Sequence, residues 1–122
     1  MTNHLHLIVS RKNEQFLSDW IRDFKSYTAK QLLKLILENP HESRKDWLEM
    51  IFRYHGRCTK QNEEFAFWQK TIHPIALWST AVIQQKVDYI HNNPVRAGFV
   101  SEPHEWILSS ANPCSPIKVN EL

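Results

Sequence analysis

Apolar positions along this chain repeat with two different periods, and the change of period divides it into elements. Residues 4 to 10, His4-Leu5-His6-Leu7-Ile8-Val9-Ser10, alternate and are β-rich in their second half, which predicts a strand. Beyond Asn13, a helix-capping residue, Leu17, Trp20, Ile21, Phe24, Thr28, Leu32 and Leu35 follow helical spacing and predict a helix over 14–38 with that side on a core. Asn39-Pro40-His41 ends it. Ser43 with Asp46 three residues later reads as a capping box for a second helix over 44–54, carrying Trp47, Leu48, Ile51 and Tyr54 and closed by His55-Gly56-Arg57. The aromatic and β-branched run from Phe67 to Ile72 predicts a second strand, with Pro74 marking an edge or a break. A third helix, capped by Ser79 or Thr80, carries Ile83, Val87 and Ile90 at spacings of four and three. Pro94 is expected to stop it, with Gly98 in a turn just beyond, so Asn93 falls in the last turn or at the cap. Phe99 to Trp106 reads as a loop that folds Phe99, Val100 and Trp106 back onto the core, and Ser109 onward as irregular. Two strands packed against three helices make the expected class α+β.

Composition narrows the function classes. A chain of 122 residues is one domain by size, with one modest core. Fifteen Lys and Arg against thirteen Asp and Glu give a net charge of only +2, so a nucleic-acid partner needs a local basic face, not a global field. Five Trp, six Phe and three Tyr supply core material and possible base-stacking surfaces. Two cysteines, Cys58 and Cys114, form no paired metal motif and fit a reducing cytosol. No apolar run approaches the ~18 residues of a membrane span, and polar residues follow Met1, so the expectation is a soluble, cytoplasmic protein with no membrane partner.

Three groups of residues could carry chemistry. On a strand, residues two apart point to one face, so His4 and His6 would aim both imidazoles at one spot and supply half of a metal site. The same pair also fits an exposed strand face with no metal. On the third helix, Tyr89 and Asn93 are four apart and share a side roughly 100° from the centre of the apolar stripe, at the rim of the core. A phenol and a carboxamide there can act as nucleophile and metal ligand; alternatively the Tyr ring packs while Asn93 caps the helix end. Arg22, Lys25 and Lys30, with Ser26 and Lys34, lie on the more exposed surface of the first helix, as a phosphate-contacting face or an ordinary solvated one. Tyr27 is the rival nucleophile, with only Gln31 at its i+4 position.

Four blocks then occur in a telling order: Met1-Thr2-Asn3-His4-Leu5-His6, Phe24-Lys25-Ser26-Tyr27-Thr28-Ala29, Phe67-Trp68-Gln69-Lys70, and Tyr89-Ile90-His91-Asn92-Asn93-Pro94-Val95-Arg96-Ala97-Gly98. Together they resemble the single-tyrosine HUH transposases, especially the REP-associated tyrosine transposases. The resemblance covers residues 1–112, leaving 113–122 as a tail, and implies a helix-rich remnant of a ferredoxin-like HUH domain with a short antiparallel sheet. In that family about fifty residues, including a strand and a helix, precede the His strand; here the chain starts at the motif, so the strand would lack its partner or pair with a second copy in a homodimer.

What the resemblance implies is an enzyme that cuts and rejoins single-stranded DNA at hairpin-forming repeats, in a bacterial, nucleoid-associated setting. His4 and His6 match the metal pair, Tyr89 the nucleophile, and Asn93 the third ligand, where other branches carry a glutamine. Two neutral imidazoles and an amide oxygen leave open positions on Mg²⁺ or Mn²⁺ for phosphate oxygens. A phenol is a weak nucleophile at neutral pH, so it needs that field or a base, and its product is a 5′-phosphotyrosine with a free 3′-OH. Two other readings stay open: a DNA-hairpin-binding fragment or repurposed module without catalysis, and a small helical interaction protein whose His pair is incidental.

Overall fold

The computed structural model describes residues 4–11, 14, 16–58 and 64–120. Three α-helices and one short 3₁₀ turn make up the regular structure, and the described residues contain no strand. The α+β expectation and its short antiparallel sheet are therefore corrected to an all-helical fold. The reason is non-local. A strand is completed by backbone partners on a neighbour, and residues 4–10, although free of any helical turn, have none among the described residues. The chain divides into two compact units, Arg11–His73 and Met1–Ser10 with Pro74–Leu122.

In the unit Arg11–His73, α1 spans Leu17–Glu38 and α2 spans Lys45–Arg57. Asn13, the expected cap of α1, lies outside the described residues; Phe16 occupies the cap position and gives no side-chain hydrogen bond. Ser43 forms no capping box either. Instead the Glu42 carboxylate accepts the Arg44 N–H at 3.0 Å and the Arg44 Nε–H at 3.1 Å, which holds the turn that leads into α2. That helix continues through His55 and a buried Gly56 to Arg57, one turn beyond the expected stop.

The second expected strand, Phe67 to Ile72, is also absent, and its polar groups show why. Ala66 donates its N–H to the Phe52 carbonyl of α2 at 2.9 Å, and the Gln69 carbonyl accepts from Lys25 Nζ of α1. The Trp68 indole N–H donates to Thr28 Oγ1 at 2.9 Å while its ring lies 6.4 Å from Phe24. Phe67 packs on Phe52 at 5.1 Å, and the Arg53 guanidinium sits 4.3 Å over the Phe65 ring. The Gln69 carbonyl and the Ala66 N–H just before the run are engaged by helices instead, and aromatic side chains fasten the segment to both of them.

In the other unit, α3 spans Thr80–Arg96, and Ser79 caps it by accepting the Val82 N–H at 3.3 Å. Pro94 does not stop this helix. It is buried within the last turn, where the N–H it lacks removes one bond to Ile90 but leaves the turn's later bonds intact. The terminator is Gly98 at φ 75°. Gly98 N–H bonds the Val95 carbonyl at 2.9 Å and Phe99 N–H bonds the Pro94 carbonyl at 3.0 Å, the paired closure of a Schellman ending. The expectation that the helix ends at Asn93 is thus moved by three residues, with consequences for the site.

Beyond α3 the chain is more ordered than its composition suggested. A 3₁₀ turn, Pro103–Glu105, is closed by a capping box in which Glu105 accepts the backbone N–H of Ser101 and Glu102 at 2.8 and 3.0 Å. Phe99 packs tilted against Trp106 at 5.7 Å, and turns at Ser109, Asn112 and Ser115 follow one another. His91 Nε2 of α3 lies 2.9 Å from Ser110 Oγ and ties those turns to the helix. Among the described residues no large hydrophobic side chain is fully buried, and none of the helices is long and apolar enough to cross a membrane.

Candidate functional site

The site is built on one side of α3. Tyr89, Asn93 and Arg96 follow one another at spacings of four and three, so a helix that runs through Pro94 turns all three toward the same surface. Opposite them lies segment 4–10, which has no regular structure but brings His4 and His6 to the same cleft. The two imidazole centroids are 5.7 Å apart at an interplanar angle of 79°, and the His6 ring meets the Tyr89 ring edge-on at 6.0 Å. His6 Nε2 is 3.2 Å from the Asn93 side-chain amide. Around these groups opens a cleft of about 440 Å³ lined by His4, His6, Tyr89, Asn93, Arg96 and Ala97.

Electrostatics in the cleft are one-sided. No carboxylate of the described residues lines it. Partial burial holds the His6 imidazole below its ordinary range, and the neighbouring His4 pushes it the same way, so the neutral, ligand-competent form is favoured. Lys86 Nζ and the Arg96 guanidinium stand 6.0 and 5.9 Å from the centre of the Tyr89 ring. Tyr89 itself is 46% exposed, open enough for a large substrate to reach its oxygen.

Two imidazoles are borderline donors, and one carboxamide oxygen is a hard one, so the set could supply part of a divalent-ion site once Asn93 turns its Oδ1 inward in place of the Nδ2 that faces His6 Nε2 at 3.2 Å. Among the described residues no cluster of three or more His, Cys, Asp or Glu is placed to hold a metal, so a third protein ligand beside His4 and His6 would have to come from a group such as the Asn93 amide.

The expected DNA-contacting residues are placed differently from one another. Arg22 is bridged to Asp19 at 2.8 Å and to Asp23 at 3.1 Å, and Lys25 is engaged by the Gln69 carbonyl. Lys30 is exposed and makes no ion pair with the described residues. Tyr27, 67% exposed on α1, has neither imidazole nor cation gathered at its ring among the described residues. A second hollow beside α2, lined by Asp46, Glu49, Met50, Arg53, Tyr54 and Arg57, holds an Arg53 already bonded to Glu49 and Glu64.

Sequence reasoning missed Arg96 and Lys86. Ending the helix at Asn93 hid the first, because its i+3 relation to Asn93 exists only if the helix passes Pro94; Lys86, at i−3 from Tyr89, was legible all along. Compared with known proteins, the chain matches no family model, no curated protein and no solved structure.

Proposed function

We propose that this chain is a tyrosine-dependent, divalent-metal-dependent endonuclease and transposase of single-stranded DNA, with Tyr89 as nucleophile. The observation that carries the reading is the gathering of His4, His6, Asn93 and Tyr89 around one open cleft, from positions more than eighty residues apart in sequence. The resemblance to the HUH transposases supplies the reaction. The phenol oxygen of Tyr89 attacks the phosphorus of a phosphodiester, the bond to the 3′ oxygen breaks, and that oxygen takes up a proton while the phenol gives one up to solvent or a base. The product is a 5′-phosphotyrosine whose ester bond is kept for rejoining. His4, His6 and Asn93 would hold Mg²⁺ or Mn²⁺, which when bound polarises the phosphate. The exposure of Tyr89 allows a nucleic-acid strand to approach without a channel. Hairpin-forming single strands are the substrate, and the cytoplasm, near the nucleoid, is the setting.

The runner-up is a DNA-hairpin-binding module without catalysis, favoured by the lack of any fully buried large hydrophobic among the described residues, which leaves the cleft's walls loosely supported. Incubation with a labelled single-stranded hairpin and Mn²⁺, followed by denaturing electrophoresis, decides between them. A denaturation-resistant protein–DNA species supports cleavage; binding with no such species leaves the module reading.

A further inference from the structure

Positive charge is handled differently in the two units. In Arg11–His73, Arg22, Lys34, Arg44 and Arg53 each face a carboxylate within ion-pair distance, while Lys25 is engaged by a carbonyl and Lys30 makes no ion pair with the described residues. Among the described residues of the other unit there is no ion pair. Its described carboxylates are occupied otherwise: Asp88 accepts from Gln84 Nε2 at 2.9 Å, and Glu102 and Glu105 close the 3₁₀ turn. Lys86 and Arg96 thus have no carboxylate within ion-pair distance among the described residues, and both stand over the Tyr89 ring. Arg96 also sits in the last turn of α3, where the helix dipole favours a cation, so its charge is tolerated there without a protein partner.

We propose that Arg96, with Lys86 beside it, is the contact for the oxyanion of the nucleic-acid phosphodiester presented to Tyr89, and that this contact forms without a metal ion. The inference rests on the nuclease reading for the identity of the phosphate but not for the charge arrangement. A guanidinium offers two parallel N–H donors that match two phosphate oxygens, and that of Arg96 already stands 5.9 Å from the centre of the Tyr89 ring. Ground-state binding and stabilisation of charge at phosphorus during attack both follow from that placement. Lys86 adds a point charge with no preferred geometry.

The test is made in EDTA, on the full chain, by measuring affinity for a labelled single-stranded hairpin over a range of NaCl. Arg96→Gln should weaken binding and lower the salt slope by about 0.7, so that over a fourfold rise in salt the variant loses roughly 2.5-fold less affinity than the wild type. Arg96→Lys should keep the wild-type slope, because it keeps the charge, yet slow adduct formation once Mn²⁺ is added, because it loses the fork. Circular dichroism of both variants checks that α3 persists. An unchanged slope in Arg96→Gln overturns the proposal even where wild type forms an adduct. A lowered slope in a protein that forms no adduct keeps the phosphate contact and removes the nuclease reading.

Discussion

His6 shows how one residue's environment sets its chemistry. Its imidazole is held below the ordinary value of 6.5 by partial burial first and by the neighbouring His4 second, so folding favours the neutral ring. The sign follows: the stability this gives is present above the unfolded value and is lost as pH falls through the folded one, where the unfolded chain takes up the proton more readily. Proton NMR titration should place the His6 ring below an ordinary histidine, and His4→Ala should move it part of the way back, leaving the share due to burial. A His6 titration unmoved by His4→Ala would mean that the two rings do not share the cleft. The strand invoked to bring His4 and His6 to one side is absent, yet both rings line the same cleft. Tyr89 and Asn93 were legible from their helical spacing. Arg96 was not, because a proline was read as a stop when its missing N–H costs only one bond in a final turn.

At the scale of elements, the helices were written in local terms and the strands were not. Leu17 to Leu35 and Ile83 to Ile90 repeat at helical spacing, and α1 and α3 occupy those stretches. Leu7-Ile8-Val9 and Phe67 to Ile72 have strand-like composition, but composition cannot supply a backbone partner, and the second run is fastened to helices through Trp68, Gln69 and Ala66. The end of α3 depends on Gly98. At φ 75° an L side chain is strained, although a Cβ there would meet nothing within 4 Å, so the cost of Gly98→Ala is backbone conformation alone. A loss of about 1–2 kcal/mol by urea unfolding is expected, with less for Gly98→Asn. Because this ending also holds Arg96 beside Tyr89, faster amide exchange at Phe99 should accompany the loss. Equal stability of Gly98→Ala and wild type would show that the Schellman turn is not populated.

For the whole molecule, the absence of any fully buried large hydrophobic side chain among the described residues predicts uneven protection, not one cooperative block. Hydrogen exchange should protect α1, α2 and α3 and leave residues 4–10 exchanging near the rate of unstructured chain; strong protection across 4–10 would mean that these residues pair in a sheet after all. The two units also pose the central question of which one carries the chemistry, since Tyr27 stands on α1 and Tyr89 on α3. Only Tyr89 is accompanied among the described residues by imidazoles, a carboxamide and cations that make no ion pair there. Tyr89→Phe removes the nucleophilic oxygen and keeps the ring that His6 and Arg96 face, so binding should survive while bond-breaking does not. The most direct measurement is covalent adduct formation with a single-stranded hairpin and Mn²⁺, run side by side for wild type, Tyr27→Phe and Tyr89→Phe. With Tyr89 as nucleophile an adduct forms in the first two and none in the third; an adduct that persists in Tyr89→Phe and disappears in Tyr27→Phe would place the chemistry on Tyr27 instead.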